Sequence, residues 1–337
     1  MALYSLRSLL PTLFSFAISP ISPLDSSMNY HTYRLSDEEI ERSIYRDFLR
    51  KMEYCKPDLH DAEKTLEQAL RSEMYSRKMQ CPQLEKTVHL AARLVELAYP
   101  DCTFEEQKVI ALVNWFVIYL DDVDSEPCAA FVPRLLRGQK QLDPVLDAFA
   151  DVLNSMHDYY DSLAANQIVT SILNFINLTP VESQIAAGTF TVPSRSRRFP
   201  GFLRDRSGLG VPFALFAFPK SQGLDTAAYL RALPDMDFWI CAANDLLSYH
   251  KEMLAGETNN YVSSRALVEK KTPLRVLVEL ERELEESRNV IHATLSSHPA
   301  AIKAWRAFEV GGVAWHLEQK RYKLKDLALD QHVTARR

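Results

Sequence analysis

The amino-acid sequence predicts an all-α protein. Only nine of its 337 residues are glycine, and the Asn-Gly and Asp-Gly signals of tight hairpins are scarce. Long segments rich in leucine, alanine, glutamate, arginine and lysine dominate instead, and these residues favour helices. Because 47% of the residues are hydrophobic, the chain can bury a substantial core.

The first part of the chain differs from the rest. Residues 1–34 are rich in serine and proline and lack helical periodicity, so we predict a flexible N-terminal extension there and a folded domain over residues 35–337. Residues 9–21 are mainly apolar, but prolines interrupt them and they are shorter than the ~18 residues of a spanning helix. We therefore expect no stable membrane insertion, with a cleaved or anchoring signal as the alternative.

Three helices are predicted in the first third of the folded domain. Residues 36–39 (Ser-Asp-Glu-Glu) have the form of a capping box and open an amphipathic helix that extends to about residue 52. Residues 59–78 predict a charged outer helix. Residues 84–98 predict a third helix that stops before Pro100.

A buried central helix is predicted to end in a cluster of carboxylates. Residues 103–106 form another capping box, residues 109–120 are apolar almost all round, and residues 121–126 read Asp-Asp-Val-Asp-Ser-Glu. Carboxylates at the C-terminal end of a helix oppose its dipole and repel one another. A bound divalent cation would compensate them, whereas the alternative is that they only solubilise the end of the helix.

The middle of the chain contains a predicted helix break. A polar loop through Gly138 is followed by helical patterns over residues 144–160 and 161–187. Gly208 and Gly210 then interrupt a helix-compatible segment that follows Arg204, which predicts a break with exposed backbone carbonyls. Such a break beside an arginine suits contact with a charged ligand. The alternative interpretation is a kink that only serves helix packing.

A row of oxygen-bearing side chains follows. Asn244, Ser248 and Glu252 are four residues apart, so in a helix they share one face. An amide, a hydroxyl and a carboxylate suit Mg²⁺ or Mn²⁺ better than zinc. An apolar segment precedes this row just as one precedes Asp121, so the two clusters could face each other in an antiparallel bundle. The alternative interpretation is a solvated polar helix face.

The last predicted helix, residues 300–329, carries an aromatic stripe. Phe308, Trp315 and Tyr322 recur at intervals of seven. Such stripes belong to a core more often than to a ligand site. Here Arg321 adjoins Tyr322 and adds a cation to the stripe.

Charge and cysteine content exclude some classes of function. The net charge is −5 and no basic stripe is present, so we expect no nucleic-acid partner. The five cysteines are odd in number and widely spaced, which is typical of reduced thiols in a cytoplasmic protein. A homodimer is compatible with these properties.

The two polar clusters together resemble the motifs of class I terpene synthases. Residues 121–126 resemble the aspartate-rich motif, and residues 244–252 (Asn-Asp-Leu-Leu-Ser-Tyr-His-Lys-Glu) resemble the more specific NDxxSxxxE motif. Lys251, with the segments 203–204, 207–210 and 321–322, resembles the trichodiene synthase family of fungal sesquiterpene cyclases. The resemblance covers about residue 36 to the C-terminus. It implies a single-domain helical bundle around a central active-site cavity.

The resemblance also implies a role for each matching residue. Asp121 matches the first metal-binding aspartate on one wall of the active site, and Asn244, Ser248 and Glu252 match the ligands of a further Mg²⁺ on the opposite wall. The groups that bind the substrate diphosphate and promote its departure match Arg204, Lys251, Arg321 and Tyr322, while Ser207 and Gly208 match the helix break. Ser125 stands at the fifth position of the aspartate-rich pattern, so Asp122 and Glu126 are secondary metal-ligand candidates. Phe308 and Trp315 are the first candidates for aromatic groups beside the substrate.

The activity that the resemblance implies is that of a sesquiterpene synthase. Three Mg²⁺ ions, with Mn²⁺ as an alternative metal, would assist ionisation of farnesyl diphosphate, and the cation would cyclise to a hydrocarbon or alcohol with release of diphosphate. A prenyl diphosphate chain-elongating synthase is the nearest alternative, although the NDxxSxxxE pattern favours cyclisation. A catalytically inactive helical binding protein is the third hypothesis.

Overall fold

Helices form all the regular secondary structure in the residues that the structure describes. The computed structural model describes residues 36–57, 65–120, 125–327 and 329, and no strand occurs among them. The all-α prediction is therefore confirmed. The predicted extension over residues 1–34 lies outside the described residues, as do Asp121 and Asp122.

The helices follow one another through short connections. The α-helices are α1 (Asp37–Lys51), α2 (Thr65–Ser76), α3 (Pro82–Ala98), α4 (Phe104–Leu120), α5 (Ser125–Leu136), α6 (Pro144–Asn154), α7 (Met156–Tyr159), α8 (Ser162–Ala186), α9 (Phe199–Ser207), α10 (Gly210–Leu215), α11 (Leu233–Leu254), α12 (Tyr261–Glu269), α13 (Pro273–Leu295) and α14 (Pro299–Glu318). Short 3₁₀ helices lie at Lys220–Gln222, Thr226–Ala228, Leu230–Ala232, Lys320–Tyr322 and Leu324–Leu327. In this part of the chain, no helix combines the length and apolarity needed to cross a bilayer.

Both predicted capping boxes are present. At the start of α1 the backbone nitrogen of Ser36 donates to Oε2 of Glu39 at 2.7 Å, and the Glu39 nitrogen donates to Oγ of Ser36 at 3.2 Å. Before α4, Thr103 and Glu106 make the same reciprocal pair at 2.8 and 3.4 Å. Each pair satisfies backbone N–H groups that the first turn of a helix leaves without an intrahelical partner.

Helix α4 lies in the inside of the bundle. α4 carries the fully buried Trp115 and Phe116 and packs against α3 and α6. α14 also packs against α3, and α11 packs against α10 and α13. The predicted central position of α4 is thus confirmed, since it is buried on nearly all sides.

Two predicted boundaries are wrong. The segment predicted as a polar loop contains α5, because Cys128 and Phe131 are buried one turn apart and α5 packs against α8. The helix predicted over residues 300–329 ends at Glu318, and the chain continues as two 3₁₀ helices. Lys323 between these has a φ of 56°, in the left-handed region that a continuous α-helix does not allow.

Candidate active site

Helix α11 carries the predicted row of metal ligands. Asn244, Ser248 and Glu252 all lie within this continuous helix, so their four-residue spacing places them on one face. Ser248 is buried, and Asn244 and Glu252 are partly buried. The row is therefore not a fully solvated helix face.

Helix α1 forms hydrogen bonds with α11 close to this row. The hydroxyl of Tyr45 donates to the carbonyl of Leu246 at 2.7 Å and accepts from the backbone nitrogen of His250 at 3.3 Å. Nδ1 of His250 lies 3.2 Å from Oε1 of Glu41, and both side chains are buried. These contacts hold the backbone of α11 between Leu246 and His250 against α1.

Arg204 reaches α11 from α9. Its Nε donates to Oδ2 of Asp245 at 2.8 Å, and its Nη2 donates to the carbonyl of Cys241 at 2.9 Å and to Oδ1 of Asn244 at 3.2 Å. Burial raises the pKa of Asp245 to about 6, against the opposing effect of the Arg204 charge. A permanent cation thus lies at the first residue of the row.

The predicted helix break lies directly against α11. α9 ends at Ser207, and α10 begins at Gly210 after Leu209, which has a left-handed φ of 57°. A Cβ built on Gly208 would overlap Sγ of Cys241. Gly208 has a φ of −81°, so this position requires glycine for close packing rather than for its backbone angles.

A cavity of about 220 Å³ opens beside this junction. Its lining includes Arg204, Asp205, Asp237, Cys241, Asp245 and Tyr261. The cavity contacts Arg204 and its partner Asp245 but does not include the other predicted site residues. It therefore lies at the contact between α9 and α11 and not along the row of predicted ligands.

Two cations, Lys251 of α11 and Arg321 of the C-terminal segment, lie near the far end of the row. Nζ of Lys251 lies 3.2 Å from Oε1 of Glu252 and 5.7 Å from the ring centre of Tyr322. Cζ of Arg321 lies 5.6 Å from the same ring. Because Lys320–Tyr322 packs on α11, the structure brings Lys251, Arg321 and Tyr322 together.

The aromatic stripe of α14 is buried. Phe308 lies 5.4 Å from the Trp305 ring and 5.5 Å from the Tyr99 ring. Nε1 of Trp315 donates to the carbonyl of Leu90 at 3.1 Å, and its ring meets the Tyr322 ring edge-on at 5.6 Å. The stripe thus connects the core to the cationic end of the row.

Sequence reasoning missed His316. Its Nδ1 lies 2.7 Å from the carbonyl of Gly312, and its Nε2 lies 3.2 Å from Nδ2 of Asn244. Burial and, to a lesser extent, the charges of Arg321 and Lys251 lower its pKa to about 4. The available signal was a polar residue eight positions after Phe308, on the apolar side of the predicted helix.

The donor set on α11 fits a hard divalent cation. The described residues contain no group of three or more His, Cys, Asp or Glu side chains that could hold a metal ion. The row instead offers an amide oxygen, a hydroxyl and a single carboxylate, which are ligands that Mg²⁺ accepts together with water and phosphate oxygens. Of the other predicted ligands, Asp121 and Asp122 lie outside the described residues, and Glu126 is exposed in the first turn of α5.

Comparison with known proteins identifies relatives for nearly the whole folded part of the chain. The family model described as "Trichodiene synthase (TRI5)" matches residues 42–334. Terpene synthase BipA from Cochliobolus sativus is 34% identical over 290 residues, which cover 84% of this chain and 89% of that protein. Alpha-cuprenene synthase COP6 from Coprinopsis cinerea is 33% identical over 224 residues, which cover 66% of this chain and 68% of that protein.

A solved structure supports the fold. The linalool/nerolidol synthase from Streptomyces clavuligerus superposes with a TM-score of 0.57 at 16% sequence identity, over 80% of this chain and 96% of that chain. Membership of the family implies a prenyl diphosphate substrate and the use of a divalent metal ion. The predictions of the family, the all-α terpene synthase fold and an enzymatic activity are confirmed. The chain belongs to the trichodiene synthase family and is a terpene cyclase of the sesquiterpene synthase type.

Proposed function

We propose that this cyclase ionises farnesyl diphosphate with Mg²⁺ and converts the resulting cation to a sesquiterpene hydrocarbon or alcohol. The observation that carries the proposal is the arrangement on α11. Asn244, Ser248 and Glu252 share one face. Arg204 contacts the first of them, and Lys251 contacts the last. Oxygen ligands and cationic side chains along one helix face suit a metal-bound diphosphate.

The residues that would hold the metal come from two segments of the sequence. Asn244, Ser248 and Glu252 are the proposed ligands on α11, and Asp121, which follows α4 in the sequence, is the proposed ligand from the other segment, with Asp122 and Glu126 secondary. Bound Mg²⁺ ions, three by our proposal and replaceable by Mn²⁺, would neutralise charge on the diphosphate oxygens.

The remaining charged groups would bind and stabilise the leaving diphosphate. Arg204, Lys251 and Arg321 would donate to its oxygens, with the Tyr322 hydroxyl as a further donor. The allylic carbon–oxygen bond breaks, its electron pair leaves with the diphosphate, and an allylic cation remains. Because that cation reacts with water, the surrounding wall must be apolar. Phe308 and Trp315 are the proposed aromatic groups that stabilise it through their ring faces.

Product analysis tests the proposal. The purified chain is incubated with Mg²⁺ and, in separate reactions, with geranyl, farnesyl and geranylgeranyl diphosphates, and volatile and diphosphate products are identified by mass spectrometry. A cyclic sesquiterpene from farnesyl diphosphate supports the proposal. A longer prenyl diphosphate would instead show a chain-elongating synthase. Absence of diphosphate release under every metal condition would show an inactive binding protein.

Variants of the row test the metal assignment. Asn244→Ala and Glu252→Ala should each abolish turnover while circular dichroism and melting temperature stay near those of the unmodified chain. Met253→Ala is the matched control, because Met253 neighbours Glu252 on α11 and is 45% exposed. Full activity in either ligand variant would overturn the assignment.

Three further properties belong to the same proposal. Residues 35–337 are the proposed cyclase domain, preceded by the extension over residues 1–34, and the family match from residue 42 supports this division. We propose a cytoplasmic location, supported by the odd number and wide spacing of the five cysteines. Size-exclusion chromatography with light scattering tests the proposed homodimer.

A further inference from the structure

His316 connects the end of α14 to the first residue of the metal-ligand row. Its Nδ1 lies 2.7 Å from the carbonyl oxygen of Gly312. A carbonyl oxygen can only accept, so Nδ1 carries the ring hydrogen. In a neutral imidazole, Nε2 is then an acceptor without a hydrogen.

The acceptor nitrogen fixes the orientation of the Asn244 amide. Nδ2 of Asn244 lies 3.2 Å from Nε2 of His316, so the amide N–H donates to the ring. On its other side, Oδ1 accepts from Nη2 of Arg204 at 3.2 Å. A flipped amide would place Oδ1 against the Nε2 lone pair and N–H groups against the guanidinium, so both contacts would be lost.

We infer that His316 is a positioning residue, which holds the Asn244 amide with its oxygen directed away from α14 and available to a divalent cation. The inference rests on the proposed function, in which Asn244 is a metal ligand. The orienting contact acts through Asn244, and His316 itself touches neither metal nor substrate. Groups that orient metal ligands in this way typically contribute a factor of 10 to 100 to metal affinity.

The surroundings of His316 keep the ring in place. Its ring centre lies 5.0 Å from that of Trp315 and 4.7 Å from that of Tyr322. A residue that served only to pack these rings would be replaceable by another aromatic side chain. A residue that orients Asn244 needs an acceptor at the position of Nε2, and this difference separates the two roles.

Two variants of His316 test this inference. His316→Phe keeps an aromatic ring of similar size but has no acceptor, whereas His316→Gln can place an amide oxygen near the position of Nε2. Binding of inorganic pyrophosphate is titrated calorimetrically at a series of Mg²⁺ concentrations, with kcat and KM for farnesyl diphosphate measured in parallel. We expect His316→Phe to need about tenfold more Mg²⁺ for half-maximal pyrophosphate binding, and His316→Gln to stay within about threefold of the unmodified chain. Excess Mg²⁺ should restore most of the kcat of His316→Phe.

A direct spectroscopic measurement accompanies the titrations. Long-range ¹H–¹⁵N spectra of the histidine rings should contain one ring protonated at Nδ1 that disappears in His316→Phe. Protonation of the His316 ring itself at Nε2 would overturn the inference, as would equal Mg²⁺ dependence of His316→Phe and the unmodified chain. Equal losses in His316→Phe and His316→Gln, with both variants folded, would also overturn it. If the unmodified chain binds no pyrophosphate with Mg²⁺ and turns over no farnesyl diphosphate, the proposed function itself fails and the inference fails with it.

Discussion

Nε of Arg204 and Oδ2 of Asp245 lie 2.8 Å apart and join α9 to α11 through an ion pair. Their side chains are 20% and 11% exposed, respectively. Water therefore reaches the pair only partly, and each charge depends on the other for compensation. The same guanidinium contacts Asn244, so the ion pair also places a cation at the candidate metal site.

Replacing Arg204 should therefore affect stability as well as activity. Arg204→Ala leaves the Asp245 carboxylate buried without its partner, and we expect a loss of about 3–5 kcal/mol in the free energy of unfolding. Urea denaturation at neutral pH measures this loss. In the double variant Arg204→Ala/Asp245→Asn the buried charge is gone, so stability should recover while turnover stays low. Recovery of turnover would show that Arg204 acts only on the fold.

Gly208 should not tolerate a larger side chain. In Gly208→Ala the new methyl group would overlap Sγ of Cys241 and would lie 2.7 Å from the Arg204 carbonyl oxygen. We expect the free energy of unfolding to fall by about 1–3 kcal/mol, as at other overpacked positions. Urea denaturation measures this loss.

Two variants control this prediction. Gly201 lies in α9, the helix that Gly208 follows, with nothing within 4 Å of a built Cβ, so Gly201→Ala should be neutral or slightly stabilising. Adding Cys241→Ala to Gly208→Ala should restore only part of the stability, because the contact with the Arg204 carbonyl remains. Equal stability of Gly208→Ala and Gly201→Ala would contradict the close packing of the helix break on α11.

Alanine substitutions at two adjacent glycines of α14 should change the stability in opposite directions. A Cβ on Gly311 would overlap the backbone carbonyl of Leu97 in α3, whereas a Cβ on Gly312 meets nothing within 4 Å. Gly311→Ala must separate α14 from α3, so the free energy of unfolding should fall by at least about 1–3 kcal/mol. Gly312→Ala should gain up to about 1 kcal/mol from the higher helix propensity of alanine. Thermal unfolding of the two variants, which differ by one position, compares them directly.

The parts of the site that depend on local spacing could be predicted from the sequence. The face shared by Asn244, Ser248 and Glu252 follows from helical periodicity, and the break at Gly208 follows from two glycines in a helical run. Both predictions depend only on residues that are close together in the sequence. The family match across residues 42–334 then confirmed the fold that these motifs implied.

The parts that depend on tertiary packing could not be predicted. Asp245 binds Arg204 across 41 positions in the sequence, and His316 binds Asn244 across 72, so no local pattern links either pair. The early end of α14 depends on Gln319, whose extended backbone ends the α-helix, and Lys323 then adopts a left-handed backbone that is unusual for a residue with a side chain. A continuous helical pattern extended the prediction past that point because lysine itself favours helices.

Asp237 should make stability depend on pH in the direction opposite to most carboxylates. Burial and then repulsion from Asp205 raise its pKa to about 6. An unfolded chain holds aspartate near its ordinary pKa of about 3.9. Between these two pKa values, Asp237 therefore binds a proton more readily in the folded state than in the unfolded state. The stability that protonated Asp237 contributes is fully present below about pH 4 and is lost as the pH rises through about 6.

The difference between Asp237→Asn and the unmodified chain isolates this effect. Asparagine keeps an oxygen that can accept from the Val211 backbone N–H but carries no charge. We expect the free energy of unfolding of Asp237→Asn, relative to the unmodified chain, to increase by about 1–3 kcal/mol between pH 4 and pH 7. Asp245 titrates in the same range, but it is present in both proteins and its contribution cancels in the difference. Asp205→Asn should lower the pKa of Asp237 and move the transition to lower pH. A difference that stays constant from pH 4 to pH 7 would show that Asp237 titrates near its ordinary pKa and that its burial carries no electrostatic cost.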